Sequence, residues 1–259
     1  MSIRLKISYY KNMPFVYGIH AVKALLATHR DQVTALHVLA GASSHKQHTE
    51  ILALAEERRI PVHNHSRKQL DQMQMGNHQG IIAECKQLPA YQENDLVDIL
   101  HSLSKDGSTH NLFLILDGVQ DPHNLGACLR TANAMGVLAV IAPKDRACSL
   151  NPTVRKVASG AAELTPFIQV TNLARTLKVL QDHNVWLVGL DMSAEQNLSE
   201  INFAGQVAIV VGGEGSGLRR LTKENCDFLA KIPMLGEIES LNVSVATGIA
   251  LYEARRVAH

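Results

Sequence analysis

The sequence predicts an α/β protein of two units, the second of which is built on a mostly parallel sheet. Short apolar, β-branched runs alternate with segments of helical periodicity along most of the 259 residues. Apolar strands that alternate with helices are typical of a parallel sheet covered on both faces. A change of composition near residue 90 separates the two units.

Composition excludes several classes of protein. The hydrophobic content of 46% is that of a folded domain, and the net charge of +1 argues against massive non-specific binding to nucleic acid. The aromatic content of 4% argues against a surface that stacks many bases. Cys85, Cys128, Cys148 and Cys226 lack paired spacing, which indicates reduced thiols in a cytoplasmic protein. No apolar run has membrane-spanning length, so we expect no membrane partner.

The first unit, residues 14–86, reads as a compact α/β domain without glycine-rich ligand loops. Its histidines have no cysteine partners and no ligand spacing, so we predict no metal site. The predicted helices are 19–28, 49–59 and 66–73, and the predicted strands are 34–39, 61–63 and 80–85.

Residues 89–110 are rich in acids, serine and other polar residues, and we interpret them as an irregular linker with a short helix at 96–103. The predicted organisation is an N-terminal extension (1–13), a first domain (14–88), the linker (89–110) and a second domain (111–259). The extension is a candidate for disorder, and Met13 is a candidate start of translation.

The second domain repeats strand and helix. The predicted strands are 112–116, 138–141, 167–170, 185–190, 207–211 and 228–232, and the predicted helices are 125–135, 152–158 and 173–182. A last helix begins at Asn242, because Val245, Ile249 and Tyr252 recur at helical spacing.

The strongest functional signal follows the strand at 207–211. Four glycines lie between Gly212 and Gly217 and permit positive φ and close approach of a ligand. Leu218 stands where a dinucleotide fingerprint that begins at Gly213 needs its third glycine. Leu218 and Arg219 also follow Gly217 where a phosphate loop needs lysine and then serine or threonine, so both of those sites are excluded. In open α/β sheets, ligands bind outside the carboxyl ends of strands, and this loop occupies such a position.

Three ordered segments carry a family resemblance. They are Asn124-Leu-Gly-Ala-Cys-Leu-Arg130, Gly212-Gly-Glu-Gly-Ser-Gly-Leu218, and Ile232-Pro-Met continued by Ser240-Leu-Asn-Val-Ser-Val245. Together they resemble the motifs of SpoU/TrmH-type RNA 2′-O-methyltransferases. From about Val16 onward the chain is similar to the branch that acts on guanosine in large-subunit (23S) rRNA; His78-Gln-Gly-Ile-Ile-Ala83 is one similar segment.

The resemblance implies a function and a fold. The implied reaction transfers a methyl group from S-adenosylmethionine to a ribose 2′-hydroxyl of ribosomal RNA. The implied fold is a ribosomal-protein-like RNA-binding domain followed by a methyltransferase domain with a deep trefoil knot, which periodicity alone could not predict. The implied assembly is a homodimer with active sites near the subunit interface.

The resemblance also assigns site residues. The expected catalytic residues are Arg130, Asn124, Glu214 and Asn242, and the expected cofactor-binding residues are Gly212, Gly213, Ile232, Leu241 and Ser240. Each has a structural alternative: Asn124 as a helix N-cap, Ser240 and Asn242 as caps of the last helix, Glu214 as an acceptor of turn amides, and Arg130 as a surface ion pair.

Three other functions remain open on the sequence. A tRNA ribose methyltransferase shares the motifs, and a non-catalytic RNA-binding or ribosome-assembly factor could share the fold. A nucleotide-dependent oxidoreductase is less favoured, because its glycine fingerprint is missing.

Overall fold

The computed structural model describes residues 15–28, 30–41, 46–74, 78–86, 91–106, 110–215 and 217–256. The chain forms two compact units: Met1–Pro89 with Ser159–Leu164, and Ala90–Ala158 with Thr165–His259. The predicted extension, residues 1–13, lies outside the described residues.

The first unit contains a four-stranded sheet in the order β1-β4-β2-β3, in which only β2 and β3 are parallel. Leu25, Leu26, Leu36 and Ile51 are fully buried between this sheet and helices α1 and α2. Strand β1 was not predicted, because three residues are too few to show a period. The elements are β1 (Phe15–Tyr17), α1 (Ile19–Thr28), a 3-10 turn (Arg30–Gln32), β2 (Val33–Leu39), α2 (Lys46–Glu57), β3 (Val62–His65), α3 (Arg67–Met73) and β4 (Ile81–Cys85).

Histidines of the first unit serve its packing. His37 is 2% exposed, and its Nε2 and Nδ1 lie 3.0 Å from Glu84 Oε2 and from His65 Nε2. Burial lowers the pKa of His37, although the Glu84 carboxylate opposes the shift. His78 Nδ1 accepts the backbone N–H of Gly80. The buried rings of His37 and His78 therefore both have hydrogen-bond partners, as buried polar groups usually do.

The second unit contains a six-stranded sheet in the order β10-β8-β9-β5-β6-β7, in which every neighbouring pair is parallel. The predicted parallel α/β architecture is confirmed. The elements are α4 (Glu93–Asp106), β5 (Leu112–Asp117), α5 (Pro122–Ala134), β6 (Val140–Pro143), α6 (Pro152–Ala158), β7 (Phe167–Val170), α8 (Leu173–Asp182), β8 (Val185–Leu190), a 3-10 turn (Leu198–Glu200), β9 (Gln206–Gly212), α9 (Arg220–Asn225), β10 (Phe228–Ala230) and α10 (Val243–Arg256). The short helix α7 (Ala161–Leu164) belongs to the first unit.

The segment expected to be a linker contains helix α4, which is longer than the predicted 96–103. Its Leu96, Leu100 and Leu103 lie in the core of the second unit, against one face of the sheet, together with residues of α8. Burying each such leucine contributes about 1.5–3 kcal/mol. The spacing of these three residues is that of an amphipathic helix, and its acidic surroundings masked it. Among the described residues, no helix is both long and apolar enough to cross a bilayer.

Helix α10 packs on α5 and β9 and is held there by Arg255. The Arg255 guanidinium donates to the carbonyl oxygens of Met135 (2.6 Å), Gly136 (2.6 Å) and His110 (3.0 Å). Met135 is the C-cap of α5, where helix carbonyls lack partners within the helix. Arg255 therefore joins the last helix to the end of α5 and the start of β5.

We expect Arg255→Met to lower the free energy of unfolding by about 2–4 kcal/mol, because it removes charge-assisted hydrogen bonds to three carbonyls. Urea unfolding followed by circular dichroism measures this change. The control is Arg256→Met, since Arg256 makes an exposed ion pair with Glu253; its loss should leave the free energy of unfolding close to that of the native chain. Equal losses in the two variants would contradict the role given to Arg255.

Candidate active site

The candidate site lies at the carboxyl ends of β5 and β9. These strands are neighbours in the sheet, and their last residues, Asp117 and Gly212, are paired in register. On one side of β5 the sheet continues to β6 and then β7, and on the other side it continues to β9 and then β8. This is a topological switch point, where open α/β sheets bind their ligands.

The glycine segment after β9 forms a tight turn. Gly217 N–H donates to Gly213 O at 3.1 Å, and Gly215 and Gly217 have φ of +75° and +62°. A Cβ on Gly212 would overlap the backbone of Gly217 and Leu218, so the turn folds directly over this position. Glycine is therefore required at 212 by close backbone packing. Ser216 lies outside the described residues.

Asn124 does not cap its helix, contrary to its structural alternative. Helix α5 begins at Pro122, three residues before the predicted start, and its N-cap is Asp121, whose Oδ1 accepts from His123 N–H and Asn124 N–H. Proline suits the first position of a helix, because the missing N–H has no partner there in any case. The Asn124 side chain is thus released for other contacts.

Three predicted site residues, far apart in sequence, meet in one hydrogen-bonded network. Asn124 Nδ2 donates to Glu214 Oε1 at 2.6 Å, and Asn242 Nδ2 donates to the same oxygen at 2.9 Å. Asn242 Nδ2 also donates to Asn124 Oδ1 at 3.0 Å. Glu214 therefore accepts hydrogen bonds from two side-chain amides. Among the described residues, its carboxylate accepts no hydrogen bond from a backbone amide or from the Arg130 guanidinium. Glu214 Oε2 has no hydrogen-bond partner among the residues that the structure describes.

Asn242 combines this contact with the capping role predicted for it. Its Oδ1 accepts from the backbone N–H of Ser244 (2.9 Å) and from Ser244 Oγ (2.6 Å), at the first turn of α10. Both N–H groups and both lone pairs of the Asn242 amide are therefore used. An amide satisfied in this way has one favoured orientation, which fixes the network relative to α10.

Arg130 lies outside this network. It is an exposed residue of α5, six residues after Asn124, which places it about 9 Å further along the helix axis. Its guanidinium has no hydrogen-bond or ion-pair partner within the described part of the chain, so the surface ion pair considered from sequence does not form there. A free guanidinium at this position is available to a phosphate or an oxyanion.

The residues expected to bind the cofactor lie at the end of β9 and in the segments that follow β9 and β10. Gly212 and Gly213 are buried at the start of the turn, and Ile232 and Leu241 are half-buried at the two ends of the irregular segment after β10. Ser240 is exposed and makes no hydrogen bond to α10 among the described residues, so the expected cap is Asn242 alone. Half-buried aliphatic side chains of this kind are typical of the apolar lining of a ligand site.

Thiol and metal chemistry find no support around the site. Burial raises the pKa of Cys128, in α5, to about 11, and burial followed by neighbouring carboxylates raises that of Cys226 to about 12. Both thiols are therefore protonated and unreactive at neutral pH. Across the described residues, no cluster of three or more His, Cys, Asp or Glu could hold a metal ion.

Comparison with known proteins identifies the family. A model of the SpoU rRNA methylase family matches residues 111–252, and a model for RNA 2′-O ribose methyltransferase substrate binding matches residues 15–91. The chain is 51% identical over 244 residues to the 23S rRNA (guanosine-2′-O-)-methyltransferase RlmB of Coxiella burnetii, across 93% of this chain and 94% of that protein. The chain belongs to the SpoU rRNA methylase family.

Other SpoU proteins agree with this assignment. RlmB of Escherichia coli K12 is 50% identical over 242 residues, which cover 93% of this chain and 97% of that protein. The crystal structure of the SpoU methyltransferase AviRb from Streptomyces viridochromogenes with its cofactor AdoMet superposes with a TM-score of 0.76 at 20% identity, over 100% of both chains. The second likeness shows that the fold is shared, and the resemblance predicted from the motifs is confirmed.

Two residues of this SpoU site escaped the sequence analysis. Asp121 caps α5, and Asp117 ends β5 with its side chain fully buried. A carboxylate that closes an otherwise apolar strand was visible in Leu112-Phe-Leu-Ile-Leu-Asp117, and an acid in that position needs a buried partner.

Proposed function

We propose that this protein transfers a methyl group from S-adenosylmethionine to the ribose 2′-hydroxyl of a guanosine in 23S rRNA. The observation that carries the proposal is the convergence of Asn124, Glu214 and Asn242 beside the glycine turn. The names of the RlmB relatives, about half identical along nearly the whole chain, support the substrate.

The protein's main contribution is alignment. The cofactor supplies an electrophilic methyl on a sulfonium, and we propose that Gly212, Gly213, Ile232, Leu241 and Ser240 hold it. Placing two reactants in near-attack geometry supplies about 7–11 kcal/mol of the barrier reduction. The network of Asn124, Glu214 and Asn242 joins the first turn of α5, the glycine turn and the start of α10 into one frame and so fixes that geometry.

Two charged groups act on the ribose. Arg130 offers a planar, positively charged guanidinium with several N–H donors. We propose that it binds the target phosphate and stabilises the negative charge that develops on the 2′-oxygen. Glu214 Oε2, which lacks a partner among the described residues, accepts a hydrogen bond from the ribose 2′-hydroxyl and takes the proton that this hydroxyl loses as it is methylated.

The test measures transfer of labelled methyl from S-adenosylmethionine to purified, unmodified 23S rRNA and tRNA, followed by nucleoside analysis. We expect label in 2′-O-methylguanosine from 23S rRNA only. Label in tRNA would favour the tRNA enzyme. Absence of transfer together with absence of cofactor binding in calorimetry would favour the non-catalytic assembly factor.

We also propose that the protein is a cytoplasmic homodimer whose interface includes α10. Val245, Ile249 and Tyr252, which predicted this helix, are 49%, 40% and 59% exposed, whereas the residues buried within the chain include Thr247 and Leu251. The stripe at i, i+4 and i+7 is therefore an apolar face that the described residues leave uncovered. A second copy would cover it by symmetric contact.

Sedimentation velocity at micromolar concentration should give a dimer, and Ile249→Glu should shift it to monomer, because a charge would be buried at the interface. The matched control is Leu221→Glu, since Leu221 is an exposed apolar residue of α9, at 52%, outside the stripe. A monomeric native chain, or a dimer that resists Ile249→Glu, would contradict this interface.

The trefoil knot remains a proposal. Strand β10 lies at one edge of the sheet, and the next helix, α10, returns to pack on β9 and α5. A chain that returns in this way could pass through the loops at the carboxyl ends of the strands, as the family resemblance implies.

A further inference from the structure

Asp117 is the most deeply buried acid at the site, and the reaction described above does not use it. Its side chain is 0% exposed at the end of β5. A buried carboxylate costs several kcal/mol unless it is paired and hydrogen-bonded. The groups that pair with Asp117 therefore indicate which part of the site it stabilises.

Those contacts hold both ends of the glycine turn. Asp117 O accepts Gly213 N–H, and Asp117 Oδ2 accepts Arg219 N–H, each at 3.0 Å. Asp117 Oδ1 accepts no hydrogen bond from the residues that the structure describes, and it lies 3.4 Å from Arg219 Nε as an ion pair. Because residues 213 and 219 bracket Glu214, one residue fixes the segment that carries the acid of the network.

Arg219 extends the same contact to the loops after β5 and β6. Its Nη2 lies 3.5 Å from Asp145 O, and it would be 3.2 Å from a Cβ placed on Gly118, where φ is +88°. Gly118 begins the loop that leads to Asp121 and Asn124. The side chain of Arg219 thus packs on the loop after β5, whereas its backbone belongs to the segment that follows the glycine turn.

We propose that Asp117 and Arg219 form a positioning pair that holds Glu214 in register with Asn124 and Asn242. The pair contacts neither reactant, and it acts through the placement of the turn. This inference rests on the proposed function, in which Glu214 belongs to the catalytic network.

The kinetic test uses Asp117→Asn, Arg219→Gln and Arg219→Lys. Asparagine keeps the shape of the Asp117 side chain but removes its charge. We expect kcat to fall about 100-fold, the effect of misplacing a site group by about 1 Å, and KM for rRNA to stay unchanged. Arg219→Lys should retain more activity than Arg219→Gln, because an ammonium can still pair with the carboxylate. Arg175→Gln, which removes an exposed ion pair with Glu93, should match the native chain.

Coupling to Glu214 separates positioning from general damage. In a Glu214→Ala background, Asp117→Asn should cause little further loss of kcat, because the residue it positions is gone. Full additivity of the two losses, or equal activity of the two Arg219 variants, would overturn the proposal.

Hydrogen exchange provides a readout that is independent of activity. Amides of residues 213–219 should exchange faster in Asp117→Asn and Arg219→Gln, and exchange of α8 should not change. Unchanged exchange in the turn would overturn the proposal. This measurement decides it even if the native chain transfers no methyl group, a result that would refute the proposed function alone.

Discussion

Replacing Arg130 by alanine is expected to lower kcat for methyl transfer by about 100- to 1000-fold, the cost of removing one donor to a developing oxyanion. Arg130 is exposed, and no partner occupies its guanidinium among the described residues. The substitution therefore removes no contact that stabilises the folded chain. Steady-state kinetics at saturating rRNA and cofactor measure the change.

Two controls isolate this effect. The melting temperature and the calorimetric affinity for S-adenosylhomocysteine should be those of the native chain, because Arg130 lies about 9 Å along α5 from Asn124. Arg130→Lys should restore only part of the rate, since an ammonium cannot bind phosphate with two parallel hydrogen bonds. Near-native kcat in Arg130→Ala would remove Arg130 from the mechanism.

Gly212→Ala is expected to weaken cofactor binding by about 10- to 100-fold, because relieving an overpacked backbone costs about 1–3 kcal/mol. The new methyl group would overlap the backbone of Gly217 and Leu218, which are not flexible side-chain ends and must move as a turn. Moving the turn displaces Gly213 and Glu214. Calorimetry with S-adenosylhomocysteine measures the loss.

Gly236→Ala is the matched control for this substitution. The same methyl group at position 236 would have no atom within 4 Å, and the φ of Gly236 is not positive. We expect native affinity. If Gly212→Ala also bound the cofactor with native affinity, the close packing at Gly212 would not matter for cofactor binding, and the prediction would be contradicted.

Much of the second unit could be predicted because its signals are local. The strands 167–170 and 185–190 and the helices 152–158 and 173–182 have the predicted bounds. Each is a run whose apolar period decides its type. The start of α5 was placed too late, because Asn124 and Asp121 are both good N-caps and only the structure shows which one uses its side chain.

The site could be predicted only in part, since its contacts span great distances in sequence. The motifs indicated that Asn124, Glu214 and Asn242 share a site, but these residues are separated by 90 and 118 positions. No local pattern gives the geometry between them. The exposure of one face of α10 could not be predicted for a related reason. The periodicity of Val245, Ile249 and Tyr252 predicts a helix, but it does not show whether this chain or a partner covers the apolar stripe.

The crystal structure of this chain with S-adenosylhomocysteine and a short guanosine-containing RNA tests the central claim most directly. We expect the cofactor at the carboxyl ends of β5 and β9, against Gly212, Ile232 and Leu241, with Arg130 within hydrogen-bonding reach of the target nucleotide and the network of Asn124, Glu214 and Asn242 intact. A cofactor bound elsewhere, or a ribose remote from both Arg130 and Glu214, would contradict the account.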